Sequence, residues 1–156
     1  MRINKHAAGW ILALFIASTS TVGAQDDIVE RVNIDYEMFT LNNGLTTIVH
    51  SDHSTPTVFV GIWYGVGSKD EPDGRTGFAH LFEHLMFQST ENHEGEYFEP
   101  FTKAGATGMN GTTSEDRTNY YATVPSGAID MALWMESDRM GHLLGAVTQE
   151  ALDEQR

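Results

Sequence analysis

The stretch GFAHLFEHLMFQST, residues 77–90, places two histidines and a glutamate inside one of the most apolar segments of the chain. His80, Glu83 and His84 are surrounded there by phenylalanine, leucine and methionine. A polar side chain that is buried without a partner costs free energy, so these groups need compensation wherever the segment is buried. The nature of that compensation is the strongest indication of function in the sequence.

The spacing of the polar residues in this stretch predicts a shared metal ion. We expect a helix that is capped by Thr76 and runs to about Ser89. Positions i and i+4 lie on the same side of a helix, so the imidazoles of His80 and His84 can converge on one ion. Zinc suits two neutral imidazoles plus a carboxylate and leaves one coordination position open for water, and H-x-x-E-H is the order of a zinc peptidase motif.

Glu83 lies on the same broad face of the predicted helix and suits a base better than a ligand, because the two histidines already define the approach of the metal. A carboxylate at that place can take a proton from a water that the metal activates. The alternative is a core helix with hydrogen-bonded histidines, which would need partners for all three polar groups at one depth. We therefore predict one Zn2+ ion held by His80 and His84, with Glu83 as the catalytic base.

The segments before this helix predict strands. Residues 36–50, YEMFTLNNGLTTIVH, contain two short apolar stretches on either side of Asn-Gly, which is a strong hairpin signal. Residues 57–67, TVFVGIWYGVG, are almost uniformly apolar and predict a strand that is buried on both faces.

The segments after the helix predict a short helix over 95–104, a hairpin over 105–125 and a longer helix over 127–144. Residues 149–156, QEALDEQR, are typical of the first turns of another helix and end without a capping residue. We therefore interpret the sequence as incomplete at its C-terminus. Because adjacent strands are joined by hairpins, the order predicts an α+β fold in which helices cover a mostly antiparallel sheet.

The composition excludes several classes of protein. There are no cysteines, so disulfides, thiolate metal sites and a cysteine nucleophile are excluded, and any metal ligands must be His, Asp or Glu. The formal net charge of −13 argues against a nucleic-acid partner. Acidic segments such as EPDGR and ENHEGE either form a solvated surface or line the rim of a cleft.

The N-terminus has the features of a signal peptide, residues 1–24. Basic residues precede an apolar run at 9–17 that is too short to span a bilayer, and a small-residue pattern follows it. We expect cleavage after Ala24, a flexible segment over 25–35 and export to the periplasm or the medium, in a Gram-negative-type bacterium. No stable membrane insertion is expected after cleavage, and the alternative is an N-terminal membrane anchor.

The stretch GRTGFAHLFEHLMFQST resembles the active-site helix of the pitrilysin (insulinase) family of zinc peptidases. The resemblance runs from about Phe39 to the chain end. MNGTTSEDRTNYYATVP is similar to the later strand pair of that family, and LWMESDRMGHLL is similar to the helix that follows. This resemblance implies a pitrilysin-like, processing-peptidase-like domain, of which residues 36–156 are the N-terminal part.

The resemblance also implies roles for single residues: zinc ligation for His80 and His84, proton transfer for Glu83 and substrate binding on an edge strand for Asn110. The third zinc ligand of the family is a glutamate on a later helix, which we expect beyond Arg156. Gly111 replaces an alanine that is common in the family, and glycine weakens a strand.

The predicted function is that of a zinc-dependent endopeptidase that hydrolyses short or unfolded peptides with a metal-activated water. Its partners would be the peptide substrate and a homologous partner subunit or second half-domain that completes a closed chamber. The alternative is a non-catalytic family subunit that binds peptides or scaffolds a partner subunit. Because one ligand is absent, we expect the 156-residue chain alone to bind zinc weakly and not to turn over.

Overall fold

The computed structural model describes residues 34–155 and divides into two compact units, Met1–Ser51 and Asp52–Arg156. The predicted signal peptide and most of the predicted flexible segment lie outside the described residues. Within the described range, none of the helices combines the length and the apolar character that a membrane crossing requires.

The described part of the first unit is a β-hairpin. Strand β1 (Glu37–Thr40) pairs antiparallel with β2 (Thr46–Val49). Gly44 adopts a φ of +90°, which is unfavourable for residues with a side chain, and its N–H donates to the carbonyl of Leu41 at 2.9 Å. The hairpin that the Asn-Gly pair predicts is therefore confirmed.

The second unit contains a three-stranded antiparallel sheet. Its strands are β3 (Thr57–Tyr64), β4 (Thr107–Thr113) and β5 (Thr118–Pro125), in the order β3-β5-β4. The hairpin predicted over residues 105–125 is confirmed as β4 and β5. Among the described residues, β4 is an edge strand, and Asn110 lies opposite Tyr121 on it.

The prediction that the apolar run beginning at residue 57 is buried on both faces is wrong. Val60 is 8% exposed, whereas Phe59 and Trp63 are 64% and 65% exposed. Alternate side chains of a strand point to opposite faces, and the helices of this unit pack against the face that carries Val60. The strand also ends at Tyr64, before the predicted end.

The helices of the second unit are shorter than predicted. In chain order, with two 3₁₀ turns, they are Ser68–Asp70 (3₁₀), α1 (Phe78–Leu85), α2 (Glu99–Lys103), Ser126–Ala128 (3₁₀), α3 (Ile129–His142) and α4 (Gln149–Glu154). Gly105 follows α2 with a φ of +81°, a conformation that favours glycine after the end of a helix. The element order confirms the α+β class.

The main core lies between the sheet and the helices α2 and α3. Its buried members come from β3, β5, both helices and the loop before α2: Val60, Tyr97, Phe101, Ala122, Val124, Ala132 and Met135. A smaller cluster joins the C-terminal end of α1 to β5 and to the end of α3 through Met86, Tyr120 and Leu143. This second cluster fixes α1 beside the sheet, and α1 carries the H-x-x-E-H residues.

Candidate active site

The three polar residues of the H-x-x-E-H motif on α1 lie in two different environments. His80 and His84 are exposed, whereas Glu83 is 7% exposed. Residue 83 is rotated by about 100° from residue 84 around the helix axis, which lets the carboxylate point inward while the imidazoles reach solvent. Of these three side chains, Glu83 is therefore the one that needs a hydrogen-bond partner to offset the cost of its burial.

The two histidines converge. Their Nε2 atoms are 3.2 Å apart, and their ring centroids are 4.8 Å apart. Two nitrogen ligands of one tetrahedral zinc, each about 2.05 Å from the ion, lie about 3.3 Å from each other. The donor pair therefore fits a single zinc ion, and in its absence the same distance suits an N–H···N hydrogen bond between the rings.

A third ligand does not join this pair in the part of the chain that the structure describes. No group of three or more His, Cys, Asp or Glu residues is arranged there to hold a metal. The glutamate that sequence analysis places beyond Arg156 stays a prediction.

The buried carboxylate of Glu83 is compensated by β4. Its Oε2 accepts a hydrogen bond from the hydroxyl of Thr113, the last residue of that strand. Thr113 was not among the site residues predicted from the sequence. The pairing joins residues that are 30 positions apart, and the only signal for it is the position of Thr113 in the predicted hairpin.

The N-terminus of α1 is capped differently from the prediction. Thr76 makes no capping hydrogen bond; instead, the carboxylate of Glu71 accepts from the N–H groups of Gly77 at 3.0 Å and Ala79 at 2.9 Å. The chain enters the helix through Gly77 at a φ of +91°, which makes that residue the N-cap. The helix also ends at Leu85, short of the predicted end.

A solvent-accessible cavity of about 610 Å³ opens beside the first turn of α1 and the end of β4. Its wall includes His80, Glu83, Glu71 and Thr113. The cavity therefore gives a reactant access to the buried carboxylate and to one of the imidazoles. Glu71, which belongs to the acidic segment EPDGR, caps the helix and also borders this opening.

A second cavity, of about 440 Å³, lies on another side of α1 and is mainly apolar. Phe78, Phe82 and Met86 line it at helical spacing, together with Tyr64 and Tyr120. Burial raises the pKa of both tyrosines, which keeps their hydroxyls protonated across the neutral range. This cavity contains neither His80 nor Glu83, so the candidate chemistry belongs to the first cavity.

The residue predicted to bind substrate, Asn110, is exposed on the edge strand β4. Its neighbour Gly111 is buried, and a methyl group there would lie 2.7 Å from Cζ of Phe87 and 3.0 Å from Cδ1 of Tyr120. Gly111, which was expected to weaken the strand, thus leaves the space that two aromatic rings occupy.

Comparison with known proteins gives consistent similarities. Residues 46–156 match the family described as Insulinase (Peptidase family M16). The zinc protease PqqE of Helicobacter pylori is 35% identical over 109 residues, which cover 69% of this chain and 24% of that protein. A probable mitochondrial-processing peptidase subunit beta of Arabidopsis thaliana is 34% identical over 64% of this chain and 19% of its own length.

Solved structures agree. A crystal structure of a protease from Helicobacter pylori has a TM-score of 0.73 and 31% identity, over 78% of this chain and 29% of that one. Pitrilysin has a TM-score of 0.64 and 24% identity, over 70% of this chain and 12% of its own, and shows the fold alone. The predicted pitrilysin-like fold is confirmed, and the chain spans between 12% and 29% of the length of these relatives.

Proposed function

The chain belongs to the insulinase family of peptidases, and on this premise we propose that the protein containing it is a zinc-dependent endopeptidase acting on short or unfolded peptides. One observation carries the proposal. The imidazole nitrogens of His80 and His84 lie 3.2 Å apart on one helix, and the buried carboxylate of Glu83 borders the same cavity as His80.

His80 and His84 would hold the metal through their Nε2 atoms. Zinc, when bound, supplies a Lewis acid that polarises the scissile carbonyl and lowers the pKa of a water molecule. Glu83 would act first as a general base, which accepts a proton from the attacking water. It would then act as a general acid, which donates that proton to the leaving amine. Its contact with Thr113 occupies Oε2, so Oε1 is the atom that we assign to proton transfer.

The edge strand β4 would align the substrate. An extended peptide can add to the open edge of a sheet, where main-chain hydrogen bonds provide affinity that does not depend on sequence. Asn110 is exposed on this strand, three residues before Thr113. We propose that its side chain contacts the peptide main chain and brings the scissile bond toward Glu83.

We further propose that the rest of the protein completes the active site. A glutamate beyond Arg156 would be the third ligand, and a homologous half, in the same chain or in a partner subunit, would complete the chamber. Relatives that are named as beta subunits of a mitochondrial-processing peptidase support an arrangement with a partner. The signal peptide predicted from the sequence supports export.

The test is the substitution Glu83→Gln in the full-length protein, with cleavage of an unstructured peptide and zinc content measured together. We expect cleavage to fall by at least 100-fold with zinc retained, because the amide keeps the shape of the side chain but cannot take the proton. Glu99→Gln, at an exposed position on α2, is the matched control.

Two results would contradict the proposal. Unchanged cleavage by the Glu83→Gln variant would remove Glu83 from the mechanism. A wild-type protein that binds unstructured peptides without cleaving them would favour the non-catalytic subunit instead.

A further inference from the structure

Resting on the proposed function, we propose that Thr113 is a positioning residue, which holds one carboxylate oxygen of Glu83 and leaves the other for proton transfer. The side chain of Thr113 donates its hydroxyl proton to Oε2 of Glu83. An ionised carboxylate can only accept hydrogen bonds, so the direction of this bond is fixed. It is the one side-chain hydrogen bond that Glu83 makes within residues 34–155.

A second threonine supports the first. Thr118 lies directly opposite Thr113 in the pairing of β4 with β5 and is 8% exposed. Its hydroxyl donates to the carbonyl of Val66 at 3.0 Å and lies 3.4 Å from the hydroxyl oxygen of Thr113. Thr118 is also the donor in this second contact, so Thr113 accepts from it and directs its own proton at Glu83.

The strand makes this donor rigid. Threonine is branched at Cβ, so its χ1 angle is restricted, and Thr113 lies in a register that both β4 and β5 define. Glu83, in contrast, has three rotatable bonds and projects from a helix. A fixed donor on the strand therefore selects one orientation of a side chain that would otherwise sample several, and reaction rates depend steeply on such orientation.

The two carboxylate oxygens of Glu83 are assigned different roles because the groups around the carboxylate differ from one side to the other. Thr113 and Glu83 both border the solvent-accessible cavity, and the strand occupies one side of the carboxylate. Oε2 is held by Thr113, whereas Oε1 makes no side-chain hydrogen bond within residues 34–155. The hydroxyl of Thr113 thus acts through Glu83 and touches no reacting atom in this proposal.

The test compares Thr113→Val with Thr113→Ser in the full-length protein. Valine has nearly the same shape but no hydroxyl, so we expect kcat to fall roughly 10- to 100-fold, with KM and zinc content unchanged. Serine keeps the donor and should restore most of kcat. Thr123→Val is the matched control, because the hydroxyl of Thr123 makes no hydrogen bond within residues 34–155. If the valine variant does not fold, Thr113→Ala removes the same hydroxyl and carries the same expectation.

Crystal structures of the metal-free wild type and of Thr113→Val give a readout that does not depend on activity. We expect the carboxylate of Glu83 to leave its wild-type position in the variant. An unmoved carboxylate, or a valine variant with wild-type kcat, would overturn the inference and leave the proposed function standing. A wild type that cleaves no peptide overturns the proposed function, and the two structures still decide whether Thr113 holds Glu83.

Discussion

At the residue scale, Glu83 and His84 are neighbours in sequence with opposite requirements. The glutamate is buried and bound to Thr113, whereas the histidine is exposed and lies 3.2 Å from the ring nitrogen of His80. A base that must take a proton benefits from a fixed position, and a metal ligand must be reachable by the ion. One turn of α1 meets both requirements because consecutive residues point in different directions.

The close packing at Gly111 leads to a prediction. We expect Gly111→Ala to lower the free energy of unfolding by about 1–3 kcal/mol, because the added methyl group would overlap the rings of Phe87 and Tyr120. Urea denaturation followed by circular dichroism measures the change. Gly127→Ala is the matched control, since a methyl group there has no heavy atom within 4 Å. Equal stability of the Gly111→Ala protein and the wild type would contradict the packing argument.

Sequence alone identified the residues whose spacing is local. His80, Glu83 and His84 lie within five positions, so helical geometry is enough to place them together. Thr113 was not identified, because it reaches α1 from a strand 30 residues away and a pattern in one segment does not report such a tertiary contact. Glu71 lies only six to eight residues before the N–H groups that it caps, but Thr76, next to the helix, is the more usual type of capping residue.

At the element scale, the helix α1 depends on a cap that comes from the preceding loop. The carboxylate of Glu71 accepts hydrogen bonds from two main-chain N–H groups at the start of the helix and also provides a negative charge there. We expect Glu71→Ala to lower the free energy of unfolding by about 1 kcal/mol. Glu71→Gln keeps one acceptor and should lose less.

Hydrogen exchange of the α1 amides measures this effect directly. Exchange should accelerate at Gly77 and Ala79 in the Glu71→Ala variant and stay unchanged in Glu94→Ala, which alters an exposed glutamate outside the cap. Unchanged protection at the start of α1 would show that Glu71 does not support the helix.

The sequence predicted which helices and strands are present better than it predicted the residues at which they begin and end. Each predicted strand and helix in the described range is present, but α1, α2 and α3 are all shorter than expected. Apolar residues continue beyond the hydrogen-bonded part of each helix, because loops also contribute to the core. The exposed face of β3 was missed for a related reason: a uniformly apolar run does not reveal which neighbours cover it.

At the scale of the whole molecule, the second unit has an ion pair inside its core. Arg139 is 1% exposed and donates to both carboxylate oxygens of Glu136, with its guanidinium between the rings of Tyr97 at 4.3 Å and Tyr120 at 4.1 Å. Burial raises the pKa of Glu136, although Arg139 acts in the opposite direction. The pair joins α3 to Tyr120, which belongs to the cluster at the C-terminal end of α1.

This buried pair gives a prediction for global stability. Arg139→Met would leave the Glu136 carboxylate buried without its partner, so we expect the free energy of unfolding to fall by about 3–5 kcal/mol. Adding Glu136→Leu should recover most of the loss, because the uncompensated charge is then removed. Lys103→Met, which breaks an exposed pair with Glu99, should change little. A double variant that is no more stable than Arg139→Met would contradict this explanation.

The overall α+β class followed from the sequence because hairpin signals and helical periodicity occur in a fixed order along the chain. Asn42-Asn43-Gly44 set the first hairpin, and the Gly-rich entry at 105–108 preceded the second. The order of the strands in the sheet, with β5 between β3 and β4, did not follow from that pattern. Pairing between distant strands depends on packing across the whole unit.

We expect His80 and His84 to bind a metal ion while Glu83 does not. Elemental analysis of the purified full-length protein tests this expectation most directly. We predict one zinc ion per polypeptide in the wild type and in Glu83→Gln, and a loss of zinc in a protein that carries both His80→Ala and His84→Ala. A wild-type protein without stoichiometric metal, or a double histidine variant that retains its zinc, would contradict the account.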